Sequence, residues 1–127
     1  MPPTRVLLVE DNEDNLQLVR FLLERDGYEV LCAHNGREGL ALARQKLPNL
    51  ILMDLSLPEI DGWEAAQLLK ADQKTASIPL LALTAHTLPG DRQRALSMGF
   101  DGYLSKPIDV AGFGGNISQA LQKSKKE

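Results

Sequence analysis

Four apolar runs of strand length in this sequence each end in residues that can do chemistry. Val6-Leu7-Leu8-Val9 leads into Glu10-Asp11, and Leu50-Ile51-Leu52-Met53 into Asp54. Pro79-Leu80-Leu81-Ala82-Leu83 leads into Thr84, and Gly102-Tyr103-Leu104 into Ser105-Lys106-Pro107. If these ends meet, three carboxylates, one hydroxyl and one ammonium share a small volume. Three carboxylates a few ångströms apart cannot all stay ionised without a cation. Lys106 supplies one positive charge, too little for three acids. Oxygen ligands of this kind suit a hard divalent ion, and Mg²⁺ is the expected one because it accepts few protein ligands and keeps several waters. A cation held there would shield an incoming phosphoryl group from the carboxylate that attacks it. A carboxylate can act as that nucleophile and form an aspartyl phosphate. Asp54 ends the middle run, with the others ringed around it, and is the expected nucleophile. Thr84 and Lys106 would then hold phosphoryl oxygens by hydroxyl and ammonium.

For these residues to meet, the runs must be neighbouring strands pointing the same way. Between the runs, apolar residues recur at helical spacing. Leu16, Val19, Leu22 and Leu23 form the first such set, with Gly27 as its stop. Tyr28 to Ala33 reads as a further strand, which Glu29 marks as an edge; it offers only His34 and Asn35 at its end. Helices are expected over Gly36–Lys46, Gly62–Asp72 and Asp91–Met98, and around Ile117–Lys123. Strict βα alternation implies a parallel sheet covered by helices on both faces. Uninterrupted apolar strands fit it, because a strand buried on both faces need not alternate. The expected architecture is α/β: a flavodoxin-like, doubly wound, five-stranded parallel sheet in the order 2-1-3-4-5 with five helices. Ligands in such sheets bind outside the carboxyl ends of the strands, where the reactive residues lie.

Composition sets outer limits. At 127 residues the chain suits one domain over 1–127, with a core over about 4–123 and a charged solvated tail over 123–127. Hydrophobic residues are 43% and charged residues 24%, an ordinary globular balance. A net charge of −3 offers no basic surface for a phosphate backbone, so no nucleic-acid partner is expected. The apolar runs are too short to span a membrane, and Met1-Pro2-Pro3-Thr4 does not open like a secretory signal. A single cysteine, Cys32, excludes an internal disulfide and reads as a small core residue. The expected home is the cytoplasm.

The chain resembles the receiver domain of bacterial two-component response regulators, of the single-domain, chemotaxis-regulator-like kind, over nearly its whole length. The resemblance rests on Leu7-Leu8-Val9-Glu10-Asp11, on Met53-Asp54-Leu55-Ser56-Leu57-Pro58-Glu59-Ile60-Asp61-Gly62, on Thr84-Ala85, and on Gly99-Phe100-Asp101-Gly102-Tyr103-Leu104-Ser105-Lys106-Pro107. Each stretch is weak alone, and four in order at these spacings are specific. The resemblance implies a phosphohistidine donor, on a histidine kinase or a histidine phosphotransfer protein. It implies Mg²⁺ held by Glu10 through water, by Asp11 and Asp54, and by the backbone carbonyl of Ser56. It implies a switch in which Thr84 and Tyr103 move together, signalling to a downstream protein through the face of the fourth helix, fifth strand and fifth helix. Ser56 and His86, each two residues past a site residue, occupy positions that tune the phosphoryl lifetime in such proteins, and the resemblance also implies a cis Lys106–Pro107 peptide.

Blander readings compete with some of these. Asp11 and Asp14 could simply serve the first helix as cap and first-turn acids, and for Asp14 that reading is preferred. Asp61-Gly62 reads as a turn and helix entry. His34 and His86 are expected near the rim, facing solvent, and Trp63 is expected to pack. Gly112, Gly114 and Gly115 crowd the start of the last helix, which is expected to begin near Asp109 with a loose first turn anchored by Phe113. Three other functions fit the same fold. A small aspartyl-phosphate phosphohydrolase usually carries a second acid where Ser56 stands, and flavin binding would clash with the acidic Glu10–Asp14 loop. A non-phosphorylated docking module would not need the full acidic set.

Overall fold

The computed structural model describes residues 3–57, 60–84 and 90–125. The chain alternates strand and helix five times: β1 (Arg5–Val9), α1 (Glu13–Arg25), β2 (Glu29–Ala33), α2 (Gly36–Lys46), β3 (Leu50–Asp54), α3 (Gly62–Ala71), β4 (Leu80–Thr84), α4 (Asp91–Ser97), β5 (Gly102–Ser105) and α5 (Val110–Lys125). The strands form one sheet in the order β2-β1-β3-β4-β5, and every pairing is parallel. The expected doubly wound order, which the family resemblance also implies, is the one observed, with β2 and β5 at the edges.

Alternating residues of each strand feed two separate cores. Leu7, Val9, Ile51, Met53, Leu80 and Ala82 face one side, where Leu40 and Ala43 of α2, Ala65, Ala66 and Leu69 of α3, and Ala95 of α4 cover them. Val6, Leu8, Leu50, Leu52, Leu81 and Leu83 face the other, under Leu16, Val19, Leu22 and Leu23 of α1 and Phe113, Ile117 and Ala120 of α5. β1 beyond Arg5 and all of β3 and β4 are buried, which is why their sequences run apolar without a break. Burying each such leucine or valine contributes roughly 1.5–3 kcal/mol relative to exposure. Cys32 is only half-buried and packs at the margin of the α1/α5 core.

Three helix starts follow the sequence's polar punctuation. Asn12, Asn35 and Asp61 each accept a hydrogen bond from a backbone N–H three residues on, capping α1, α2 and α3. Asn12, rather than Asp11 or Asp14, caps α1, and Asp14 sits in its first turn beside Glu13. The last helix begins beside Asp109, where it was expected. It is helical from Val110, seven residues before Ile117, and passes through all three glycines. The cause is burial: Phe113, Ile117 and Ala120 lie at helical spacing and are almost inaccessible, so packing overrides the low propensity of Gly112, Gly114 and Gly115. Helix also continues through Lys125, over part of the segment read as a tail.

Candidate functional site

The parallel register sets which strand ends share an edge. Asp54, the last residue of β3, pairs with Leu83 of β4, and Thr84 pairs with Ser105 of β5. Glu10 directly follows Val9, whose partner is Met53, just before Asp54. Lys106 follows Ser105, and its backbone N–H donates to the Thr84 carbonyl at 2.7 Å, pinning the fifth strand's end to the fourth's. The Lys106–Pro107 peptide is cis. Four strand ends, far apart along the chain, thus form one cluster.

The cluster is dry and strongly charged. Glu10 is fully buried, and Asp54 and Thr84 are nearly so, at 2% and 3% exposed. Lys106 Nζ stands 2.6 Å from Glu10 Oε1 and 3.4 Å from Asp54 Oδ2, a bridge between the two acids. Backbone amides add to it: the Ser56 N–H donates to Asp54 Oδ1 at 3.0 Å, and the Asn12 N–H to Glu10 Oε2 at 3.3 Å. Asp11 is exposed at the mouth. Burial pushes the Glu10 carboxyl up to about 7, and a hydrogen bond shared with Asp54 pushes it further than Lys106 draws it back. Burial acts on Asp54 the same way, but there Glu10's hydrogen bond, the Ser56 amide and Lys106 win, and its carboxyl stays below the usual range. The two carboxyls are thus pushed apart, Glu10 up and Asp54 down, and titrate as a pair.

The donor set fits a hard divalent cation. One carboxylate oxygen each from Glu10, Asp11 and Asp54 lies within 4.8 Å of the others. Among the described residues Glu10 Oε1 is a buried oxygen whose one close partner is the Lys106 ammonium. A cation at Asp11 and Asp54 would supply the charge that one lysine cannot, and oxygen-only donors match Mg²⁺.

Residues 6–114 match the response regulator receiver domain. The chain belongs to that family. Over 111 residues it is 47% identical to the polar-differentiation response regulator DivK of Brucella anthropi, covering 87% of this chain and 90% of the relative. DivK of Brucella ovis is 46% identical over 108 residues, 85% of this chain and 88% of the relative. Among solved structures, a CheY-like receiver domain protein from Methanospirillum hungatei superposes with a TM-score of 0.88 at 29% identity, covering 98% of both chains. The receiver domain of a sensor histidine kinase from Pseudomonas aeruginosa superposes at 0.87 and 32% identity, covering 95% of this chain and 99% of that one. That structure has a magnesium ion coordinated in its active-site cleft. The flavodoxin-like fold, the receiver family and a place in two-component signalling are thereby established for this chain.

The structure also locates the residues expected around the cluster. Ser56 is exposed at the rim, with its amide on Asp54. Tyr103 is half-buried on edge strand β5 and packs against the α2/α3/α4 core. His34 is exposed, 3.8 Å from Glu13 and 3.7 Å from Glu38. Trp63 packs, meeting Phe100 edge to face with centroids 6.0 Å apart. His86 lies outside the described residues. Sequence reasoning missed what Gly62 does. A methyl group there would overlap the carbonyl oxygen of Asp54 and reach the Leu55 α-carbon at 2.7 Å. Helix α3 thus starts in direct contact with the chain that carries Asp54. A glycine immediately after the capping Asp61 was the available signal. Among the described residues no helix is long and apolar enough to cross a membrane.

Proposed function

We propose that residues 1–127 form one receiver domain that accepts a phosphoryl group on Asp54 from the phosphohistidine of a histidine kinase or histidine phosphotransfer protein. The observation that carries this reading is Asp54 itself: nearly buried at the end of the central strand, and kept ionised between Lys106 and the Ser56 amide. An ionised carboxylate is the form that attacks. An Asp54 oxygen bonds to phosphorus as the phosphorus–nitrogen bond of the donor breaks, and the leaving imidazole keeps the electron pair and takes up a proton. Lys106 then pairs with phosphoryl oxygen, and the Thr84 hydroxyl donates to another. Glu10 (through water), Asp11, Asp54 and the Ser56 carbonyl would hold Mg²⁺, which when bound offsets the charge that Asp54 and the phosphoryl group bring together.

Signalling follows from packing. Turning the Thr84 hydroxyl toward the phosphoryl group frees space into which Tyr103 can rotate, altering the surface of α4, β5 and α5 that a downstream protein would read. Ser56 and His86 flank the reacting centre and would set how long the acyl phosphate survives water. The domain would work in the cytoplasm, with protein partners rather than nucleic acid or membrane. Intact-mass measurement after incubation with acetyl phosphate and Mg²⁺ tests the assignment. The wild type should gain one phosphoryl group and Asp54→Asn none. Equal labelling of both removes Asp54 from the role, and steady turnover of acetyl phosphate without a labelled protein favours a phosphohydrolase.

A further inference from the structure

Helix α4 is the shortest helix of the fold, and one of its contacts is specific. It has seven residues, begins at Gly90 with φ 91°, and receives no side-chain cap. A helix this short does not stand alone in water and depends on tertiary contacts. Ala95 is buried beneath it, and Phe100 just beyond it is 2% exposed. Its other contact of note is charged: the Arg94 guanidinium lies 4.1 Å from the centroid of the Trp63 ring. Trp63 is in the first turn of α3, next to Gly62, where a methyl group would overlap the Asp54 carbonyl oxygen and meet the Leu55 α-carbon. The same indole meets Phe100 edge to face at 88°. A continuous line of contact therefore runs from the Asp54 backbone through Gly62 and Trp63 to Arg94.

We infer that Arg94 and Trp63 form a cation–π clasp that holds α4 to the entrance of α3 and carries displacement at Asp54 into α4. This rests on the receiver reading above and adds a second route to it, independent of Thr84 and Tyr103. The physics favours a clasp over incidental packing. The indole offers the most attractive ring face for a cation, and the Arg94 guanidinium carbon lies 4.1 Å from its centroid, within cation–π range. The contact bridges two helices that the chain separates by a whole strand, β4. Because close packing at Gly62 leaves no slack, a shift of the Asp54 chain must move Trp63. The guanidinium must then follow it or let go, which is a two-position element.

Trp63 is the protein's sole tryptophan, so its emission reports on the clasp directly. The test compares wild type, Arg94→Leu and Arg94→Lys. Leucine keeps apolar contact with the ring and removes the charge, whereas lysine keeps the charge. Without any phosphoryl analogue, α4 amides of Arg94→Leu should exchange about two- to fivefold faster than in wild type, with Arg94→Lys between them. Exchange in β3 should not change. Addition of Mg²⁺ and beryllofluoride should alter Trp63 emission in wild type and alter it much less in Arg94→Leu. Equal α4 exchange in wild type and Arg94→Leu overturns the clasp, as does an identical emission response in the two. Melting temperature separates this from failure of the receiver reading. If beryllofluoride raises it in none of the proteins, the receiver reading fails, and the analogue-free exchange comparison still decides whether the clasp exists.

Discussion

The part of the molecule built from β1 to α3 and the part built from β4's end to α5 are made to different standards. In the first, every helix starts at a capping side chain with an acid in its first turn: Asn12 with Glu13 and Asp14, Asn35 with Glu38, Asp61 with Glu64. Each cap contributes about 1 kcal/mol, and the acids complement the helix dipole. In the second, α4 starts at an uncapped glycine, α5 has no acid in its first turn and three glycines soon after, and β5 is half-exposed along its length. Asp54 and Glu10 sit on the first part, whereas Tyr103 and Arg94 sit on the second. Chemistry requires a site held to within a fraction of an ångström, and switching requires elements whose alternatives cost little. The contrast places the acids of the site on the first part and the switching elements on the second, which also lends Thr84 and Lys106 to the site.

The sharpest way to break that contrast is at Gly62. Adding one methyl forces it into the Asp54 carbonyl and the Leu55 α-carbon, both backbone and unable to step aside. Gly62→Ala should lower stability by about 1–3 kcal/mol, the cost of overpacking, read as a lower urea midpoint. It should also slow labelling by acetyl phosphate, because the methyl displaces the chain that carries the nucleophile. Wild-type stability and labelling rate in the Gly62→Ala protein would mean that α3 is not fixed to the site.

The buried acids give the next largest effect, and its sign is opposite to that of an ordinary ion pair. Glu10 titrates from 4.5 when unfolded to about 7 when folded, so the folded state binds its proton more tightly. Its contribution is therefore full below pH 4.5 and is lost as pH rises through about 7. Asp54, held low, contributes above its unfolded value of 3.8 and loses that only as pH falls further, so the pH ranges in which the two contributions are lost do not overlap. Without Mg²⁺, the melting temperature should decline between these limits for wild type and stay flatter in Glu10→Gln. Mg²⁺ at a hundredfold excess over its dissociation constant should stabilise by about 2.7 kcal/mol, an effect that Asp11→Asn abolishes. Identical pH slopes in wild type and Glu10→Gln would remove Glu10 as the proton holder.

The same division decides what could be read in advance. The strand ends were legible because β1, β3 and β4 are buried on both faces, and an apolar run that stops at a carboxylate marks where the chain emerges. Asp61 was legible as a helix start for local reasons, since a cap acts over three residues. What could not be read was long-range. Nothing near Glu10 says that its carboxylate is fully buried; that Lys106 would meet it was expected from the strand ends, but not that the two would pair at 2.6 Å. The Arg94–Trp63 contact is equally non-local, and Gly62 looked like an ordinary turn glycine until the backbone behind it was in view. The start of α5 near Asp109 was legible, although local propensity and tertiary burial disagree there.

That disagreement supplies the smallest and most discriminating prediction. The three glycines of α5 are not equivalent. A methyl on Gly112 would meet the Asp109 carboxylate at 2.8 Å, and one on Gly114 would press on Asp26 at 3.1 Å, so both positions answer to neighbours. Gly115 has nothing within 4 Å and faces solvent. With helical geometry and open space, Gly115→Ala should raise stability by about 0.5–1 kcal/mol, by removing backbone freedom from the unfolded chain and improving helix propensity. A gain of that size, beside the loss at Gly62, would show that glycine serves close packing on the chemical side and leaves slack on the switching side. The added stiffness should also slow amide exchange over residues 110–116 while leaving α1 and β3 unchanged. If Gly115→Ala is neutral or destabilising, the first turns of α5 are already as firmly held as the capped helices, and the contrast between the two parts of the molecule does not extend to its last helix.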